Sequence, residues 1–254
     1  NDHLMELLIL IDAARRASAS RVTAVLPFYG YARQDRKDKP RVPITAKLVA
    51  NLLVSAGANR ILALDLHAGQ IQGFFDIPVD HLFSINVLSK YFLKKRLKNL
   101  VVVSPDVGGL KLARAYSKLL DAPLAIVDKR RENAEQTKVM NIIGDVRDRN
   151  VVLVDDLVST ASSLAEAVHV LKQEGCLDVY AAIVHPVLAG PAIERIQNSE
   201  LKELVVSDSI PIPPAKRIKK ITVLSVAPLL GEAIKRIHQN ESVSVLFQKS
   251  AIEA

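Results

Sequence analysis

Cysteine is nearly absent from this sequence, and tryptophan is wholly absent. Cys176 is the only cysteine among the 254 residues, which excludes an intramolecular disulfide and a cysteine-rich zinc site. No apolar run approaches the ~18 residues of a membrane span, and residues 1–6 lack the pattern of a signal peptide. We therefore expect a cytoplasmic protein without a membrane partner.

The charge balance is modestly basic, with a formal net charge of +7. A cationic surface without a specific partner is one interpretation of this excess. Binding to nucleic acid predicts basic stretches with interleaved aromatic residues, but the densest ones, Arg33–Arg41 and Lys216–Lys220, contain none. Phosphate-bearing metabolites are therefore the expected partners, and nucleic acid is not.

Apolar runs typical of strands alternate with helical patterns along the chain. The first helix is predicted to end at about Arg16 and to share one apolar face among Leu4, Leu7, Leu8 and Ile11. Further helices are predicted at about residues 44–56, where Gly57 ends the pattern, and around 110–120 and 164–174. The predicted strands are Val22–Leu26, Arg60–Leu64, Leu100–Val103, Leu124–Val127, Val151–Val154 and Val179–Val184.

Strands that are apolar throughout and separated by helices indicate parallel sheets that are buried on both faces. The sequence therefore predicts an α/β fold with two doubly wound units, joined near Asp80–Ser84. Ligands of such sheets collect at the carboxyl ends of the strands. Five consecutive predicted strands end in acids, bases, a histidine or small hydroxylated residues, which begin at Tyr29, Asp65, Ser104, Asp128 and Asp155.

The segment from Asp155 to Ser163 is the most specific of these strand ends. Two adjacent carboxylates, Asp155 and Asp156, are followed by a loop of small residues that opens a helix. Backbone N–H groups at such a helix start can hold a phosphate dianion, and the carboxylates can accept hydrogen bonds from the vicinal hydroxyls of a sugar. A ribose phosphate offers both groups. A helix cap or a metal site in an unrelated nucleotide enzyme is the alternative.

This segment resembles the phosphoribosyl diphosphate (PRPP) loop of type I phosphoribosyltransferases and PRPP synthetases. The resemblance extends along nearly the whole chain, in the order and spacing of the ribose-phosphate diphosphokinase (PRPP synthetase) family. The motifs that carry it are Tyr31–Asp35, Arg41–Lys47, Asp65–Phe75, Ser104–Gly109 and Asp128–Arg131. No simple transferase shares this set.

The resemblance implies two phosphoribosyltransferase-like domains and the transfer of the β,γ-diphosphoryl group of ATP to the 1-hydroxyl of ribose 5-phosphate. Residues 1–83 would form an incomplete first domain and residues 84–237 the second, with the tail 238–254 packing on the first. Dimers that assemble into a hexamer are expected, and Ser242 and Ser244 resemble part of an intersubunit anion site. Two exposed serines on a final strand are the alternative.

Roles for individual residues also follow from the resemblance. Asp155 and Asp156 match the acids that bind the ribose hydroxyls, and the 5-phosphate loop is matched by Ser159, Thr160, Ala161, Ser162 and Ser163. Arg33 and Gln34 match contacts to ATP. His67 and Asp106 match positions that engage Mg²⁺ or metal-bound ATP. Lys129 and Arg131 match catalytic cations of a mobile flap, which would continue through Glu132–Val139.

Three departures from the family pattern keep other hypotheses open. The sequence lacks the start of the family's first domain, so an N-terminally truncated member is expected. Ser159 stands where many members have a third acid. Ser162 stands where glycine is usual, which is unfavourable if the backbone there needs a positive φ. A weakly active or regulatory subunit of a synthetase oligomer is therefore a second hypothesis, and a PRPP-binding regulator or simple phosphoribosyltransferase is a third.

Overall fold

The computed structural model describes residues 1–130 and 139–246. It divides into two compact units, Asn1–Phe83 and Ser84–Ala254. The division assigns the described tail residues, 238–246, to the second unit, and the expected packing of the tail on the first domain stays a prediction. Within the described ranges, no helix has the length and apolar character needed to cross a bilayer.

The first unit is a three-stranded parallel sheet with two helices. Its elements are α1 (Asp2–Arg16), β1 (Thr23–Leu26), α2 (Thr45–Ala56), β2 (Arg60–Leu64), a 3₁₀ turn (Gly69–Phe74) and β3 (Val79–Leu82), in the strand order β1-β2-β3. The predicted face of α1 packs on the core, with Ile11 buried beside partly buried leucines. Gly57 ends α2 with φ +116°, where a Cβ would lie 2.6 Å from Cδ of Arg15.

The second unit is built on a seven-stranded sheet. Its helices are α3 (Ile85–Lys95), α4 (Leu110–Leu120), α5 (Ser162–Gln173), α6 (Ala192–Asn198) and α7 (Ala227–His238). Its strands are β4 (Leu100–Ser104), β5 (Leu124–Arg130), β6 (Val139–Ile143), β7 (Asn150–Val158), β8 (Val179–Pro186), β9 (Leu201–Ser207) and β10 (Ile221–Leu224). The strand order is β10-β9-β8-β7-β4-β5-β6.

Every strand pair in this sheet is parallel except β5 and β6. The central strands are apolar because helices cover both faces, and all eight residues of β8 are buried. The predicted α/β class with parallel sheets is thus confirmed. The antiparallel edge strand β6 was not predicted; it pairs with β5 because the chain returns after a short connection, which suits a hairpin.

Candidate active site

The carboxyl ends of β4 and β7 bring three predicted site residues to one edge of the second sheet. These strands are paired neighbours, with Val103 opposite Leu153. Asp106 follows β4, and Asp155 and Asp156 lie in the last part of β7. Strand β7 runs four residues beyond its predicted end, because those residues continue the pairing with β8. Asp155 and Asp156 are therefore held by a sheet rather than by a loop, and Asp106 lies in the turn beside them.

The two adjacent carboxylates, Asp155 and Asp156, repel each other when both are ionised. Both side chains are half-buried, and the N–H of Asp156 donates to Oδ1 of Asp155 at 2.9 Å. Burial, followed by the negative charge of Asp156, raises the pKa of Asp155 to about 8, and Asp106 acts in the same direction. A carboxyl in this environment gains from a partner that donates hydrogen bonds or carries positive charge.

The loop after β7 turns directly into α5. Ala161 lies in the left-handed region with φ 57°, and Ser162 is the first residue of the helix. Ser162 is not among the residues with positive φ. The left-handed residue of this loop is therefore Ala161, which precedes it. Among the described residues, no protein acceptor takes the N–H groups of Thr160 to Ser163. Such N–H groups at a helix start favour an anion.

The turn after β4 fixes the carboxylate of Asp106. The N–H of Gly109 donates to Oδ1 of Asp106 at 3.0 Å, and Oγ of Ser104 donates to the Asp106 carbonyl at 2.7 Å. A Cβ on Gly109 would lie 2.8 Å from Oγ of the fully buried Ser104. Glycine at this position therefore preserves the turn that presents Asp106.

The first unit places the turns that carry Arg33, Gln34 and His67 beside each other. Asp35 accepts a hydrogen bond from Nε2 of Gln70 at 3.1 Å, which joins the two turns. The backbone of Gln34 is fixed to the start of α2, because its carbonyl accepts from the N–H of Ala46. The side chains of Arg33 and His67 are exposed to solvent.

A buried histidine that the sequence interpretation missed supports the His67 turn. Nε2 of His81 accepts a hydrogen bond from the N–H of Leu66 at 2.9 Å, and the His81 side chain is only 7% exposed. His81 belongs to β3, a strand that was not predicted. The available signal was a short run with apolar ends, Val79–Leu82, that has a histidine next to its last residue.

The predicted catalytic pair lies at the edge of the described chain. Strand β5 extends beyond its predicted end and includes Lys129, whose backbone pairs with Met140 of β6. Arg131 and residues 132–138 of the predicted flap lie outside the described residues. Val139, the last residue assigned to the flap, is the first residue of β6.

His67 belongs to the first unit and Asp106 to the second. Among the described residues, no group of three His, Cys, Asp or Glu side chains could enclose a metal ion.

Comparisons with known proteins agree with this architecture. A family model described as the N-terminal domain of ribose phosphate pyrophosphokinase matches residues 1–57, and one described as a phosphoribosyl synthetase-associated domain matches residues 129–248. A ribose-phosphate pyrophosphokinase of Bacillus cereus is 58% identical over 247 residues, which cover 97% of this chain and 78% of the relative. One from Corynebacterium ammoniagenes has the same identity and coverage.

A solved structure gives the same result. The crystal structure of phosphoribosylpyrophosphate synthetase from Mycobacterium smegmatis matches with a TM-score of 0.89 and 44% identity, covering 93% of this chain and 78% of that one. The parallel sheets and their strand-end acids define an α/β protein with phosphoribosyltransferase-like domains. The similarity over nearly the whole chain is more specific: the chain belongs to the ribose-phosphate pyrophosphokinase family.

Proposed function

We propose that this chain transfers the diphosphoryl group of ATP to the 1-hydroxyl of ribose 5-phosphate, giving PRPP and AMP. The observation that carries the proposal is the continuous strand, loop and helix from Asp155 to Ser163, in a chain that is 58% identical to ribose-phosphate pyrophosphokinases. This catalytic function is favoured over a regulatory subunit because the proposed acids at the end of β7 are followed directly by the proposed phosphate loop and the start of α5.

The ribose 5-phosphate would bind along this element. Its hydroxyls would donate hydrogen bonds to Asp155 and Asp156, whose mutual repulsion these bonds would relieve. Its 5-phosphate would accept from the N–H groups of the loop and the first turn of α5, aided by hydroxyls. The residues proposed for the phosphate are Ser159, Thr160, Ala161, Ser162 and Ser163.

ATP would bind through the turns of the first unit that carry Arg33 and Gln34. Mg²⁺ fits the donor set in part, because Asp106 offers a carboxylate whose Oδ2 has no protein partner among the described residues. One carboxylate is enough when substrate phosphates complete the shell. The ion would neutralise charge on the phosphate oxygens. Asp106 and His67, each in its own unit, are the positions proposed to engage Mg²⁺ or metal-bound ATP.

Lys129 and Arg131 are proposed as the catalytic cations. Attack at the β-phosphorus requires alignment and charge neutralisation more than covalent chemistry. An ammonium and a guanidinium group near the transferred group would stabilise the charge that builds up there. Replacing either one by alanine should lower kcat far more than it raises the KM of either substrate.

Assembly and location are part of the same proposal. A cytoplasmic homo-oligomer built from dimers is expected, and light scattering of the purified protein tests the assembly. Near the end of the described chain, the hydroxyls of Ser242 and Ser244 lie 2.7 Å apart and are exposed. This pair is compatible with the anion site proposed from the family pattern. The Ser242→Ala variant should then respond less to inorganic phosphate.

The deciding experiment measures AMP formed from ATP and Mg²⁺ with and without ribose 5-phosphate. AMP that forms only with ribose 5-phosphate supports the proposal, and ribose without the phosphate should not replace it. The Asp156→Asn variant should lose most activity, whereas Asp145→Asn, an exposed acid in the connection before β7, should retain it. Absence of AMP from the wild-type chain would contradict the catalytic function.

A further inference from the structure

The carbonyl groups at the end of β7 and in the loop that follows are fixed by hydrogen bonds from a neighbouring segment of the chain. Three consecutive carbonyls accept hydrogen bonds from the connection between β8 and α6 or from α6 itself. The N–H of Leu188 donates to the Val158 carbonyl at 3.1 Å, and the N–H of Ala189 donates to the Ser159 carbonyl at 3.0 Å. The third carbonyl, that of Thr160, accepts from Nη1 of Arg195 at 3.0 Å.

This arrangement determines where the loop N–H groups point. In a planar trans peptide, the carbonyl of one residue and the N–H of the next point in opposite directions. Fixing the carbonyls of residues 158, 159 and 160 on one side therefore directs the N–H groups of residues 159, 160 and 161 to the other side. The N–H groups of Thr160 and Ala161 donate to no protein acceptor in the described chain.

The connection that supplies the first two donors is itself fixed. Leu188 is fully buried, lies in the left-handed region with φ 47°, and its carbonyl accepts from Nζ of Lys216 at 2.7 Å. A leucine is held in this conformation only when its surroundings determine it. Two of the three donors are thus rigid backbone groups, and Arg195 is the one side chain among them.

The Arg195 side chain is well placed to hold the Thr160 carbonyl, and no ion pair competes for it among the described residues. Arg195 lies on α6, whose first residue, Ala192, is buried in the core, so its backbone is anchored. It also lines an open cavity of about 510 Å³ together with His169, Glu194 and Asn198. Small solutes can therefore approach the guanidinium group from the side of this cavity.

We propose that Arg195 is a positioning residue that holds the peptide between Thr160 and Ala161 in the orientation required to bind the 5-phosphate. The inference rests on the proposed function of the loop, but it concerns a residue that would not touch the substrate. Without the guanidinium group, the Thr160 carbonyl is free to rotate toward the phosphate, where it would repel the anion and withdraw the N–H of Ala161.

The test compares Arg195→Ala and Arg195→Lys with the wild-type protein. For Arg195→Ala, we expect the KM for ribose 5-phosphate to rise about tenfold or more, as for a lost hydrogen bond from a charged donor. The KM for ATP should stay close to the wild-type value. Millimolar guanidinium, entering through the cavity, should restore part of the loss, and Arg195→Lys should fall between the two.

Arg217→Ala is the matched control, because Nε of Arg217 also donates to a backbone carbonyl, that of Ile212, at 3.2 Å. This control should change neither KM. Equal changes in both KM values for Arg195→Ala, an unchanged KM for ribose 5-phosphate, or no recovery with guanidinium would each overturn the proposal. If Arg195→Ala does not fold, the same comparison with Arg195→Lys decides.

Calorimetric titration with ribose 5-phosphate alone separates this inference from the proposed function, because it needs no turnover. A wild-type protein that binds the sugar phosphate but forms no AMP contradicts the catalytic function only. Weaker binding by Arg195→Ala would still support the role of Arg195. If the wild-type protein binds no ribose 5-phosphate, both the inference and the proposed function fail.

Discussion

Replacement of Asp155 by asparagine should stabilise the unliganded protein at alkaline pH while weakening its binding of ribose 5-phosphate. The folded protein raises the pKa of Asp155 from 3.8 to about 8, first through burial and then through the charge of Asp156. Between these values the folded state retains a proton that the unfolded state has lost. The wild-type protein therefore loses stability as the pH rises through this window, and the Asp155→Asn variant lacks this loss.

The size of the effect follows from linkage. One group can change the free energy of unfolding by up to about 1.4 kcal/mol per pH unit, so the interval from about pH 5 to about pH 8 gives at most about 4 kcal/mol. Asp155 keeps partial contact with water, and Asp156 shares the repulsion. We therefore expect the stability of Asp155→Asn relative to wild type to increase by about 1 to 2 kcal/mol across this interval.

Urea-induced unfolding, followed by circular dichroism at several pH values, measures this difference. The buffer should contain a chelator, so that no cation neutralises the acids, and no phosphate, so that no anion occupies the neighbouring loop. Asp121→Asn is the matched control, because Asp121 is exposed at the end of α4 in a left-handed conformation that asparagine also adopts. A stability difference for Asp155→Asn that stays constant or shrinks as the pH rises would refute the reasoning.

Three further predictions follow from the geometry of the second unit. Ala161→Gly should change the free energy of unfolding by less than about 1 kcal/mol, because the relief of a left-handed alanine is offset by the loss of its buried Cβ and by the greater freedom of glycine in the unfolded chain; a Tm shifted by more than about 4 °C in either direction would contradict this. Gly109→Ala should cost about 1 to 3 kcal/mol and reduce activity, because the new Cβ would meet Oγ of Ser104; equal urea midpoints for variant and wild type would count against it. Burial alone would raise the pKa of Glu203, but hydrogen bonds led by that from Lys95 hold it below its ordinary value. The contribution of Glu203 to stability is then present above about pH 4.5 and is lost as the pH falls through the lower folded-state pKa. Glu203→Gln should therefore lower the free energy of unfolding by about 1 to 3 kcal/mol at neutral pH and by less in acid. A loss of stability that does not depend on pH would argue against this account.

The strand-end chemistry was predictable because it depends on local sequence. A run such as Val151–Val154 is apolar because it is buried on both faces, and the change to Asp155 and Asp156 marks the end of that burial. The sequence therefore predicted the α/β fold, the helix ended by Gly57, and the place of the acids in the chain. The family motifs added roles for Arg33 and other residues, and these roles remain predictions.

Features that depend on contacts between distant segments could not be predicted. The sequence interpretation suspected a positive φ at Ser162, but the left-handed residue is Ala161, and only the path of the loop decides between them. Arg195 lies 35 residues from the carbonyl to which it donates. No local pattern distinguishes it from an ordinary surface arginine, because the pairing of β7 with β8 brings the two segments together.

The pairing of β5 with β6 bears on how the segment between these two strands can vary in sequence. The strands are paired out to Arg130 and Val139, so the two ends of the chain segment between these residues are fixed to each other by the sheet. Strand pairing thus offsets the entropy cost of bringing those ends together, a cost that depends on the number of residues between them. Replacing residues 131–138 by the matching segment of a relative would therefore leave both junctions on paired strands.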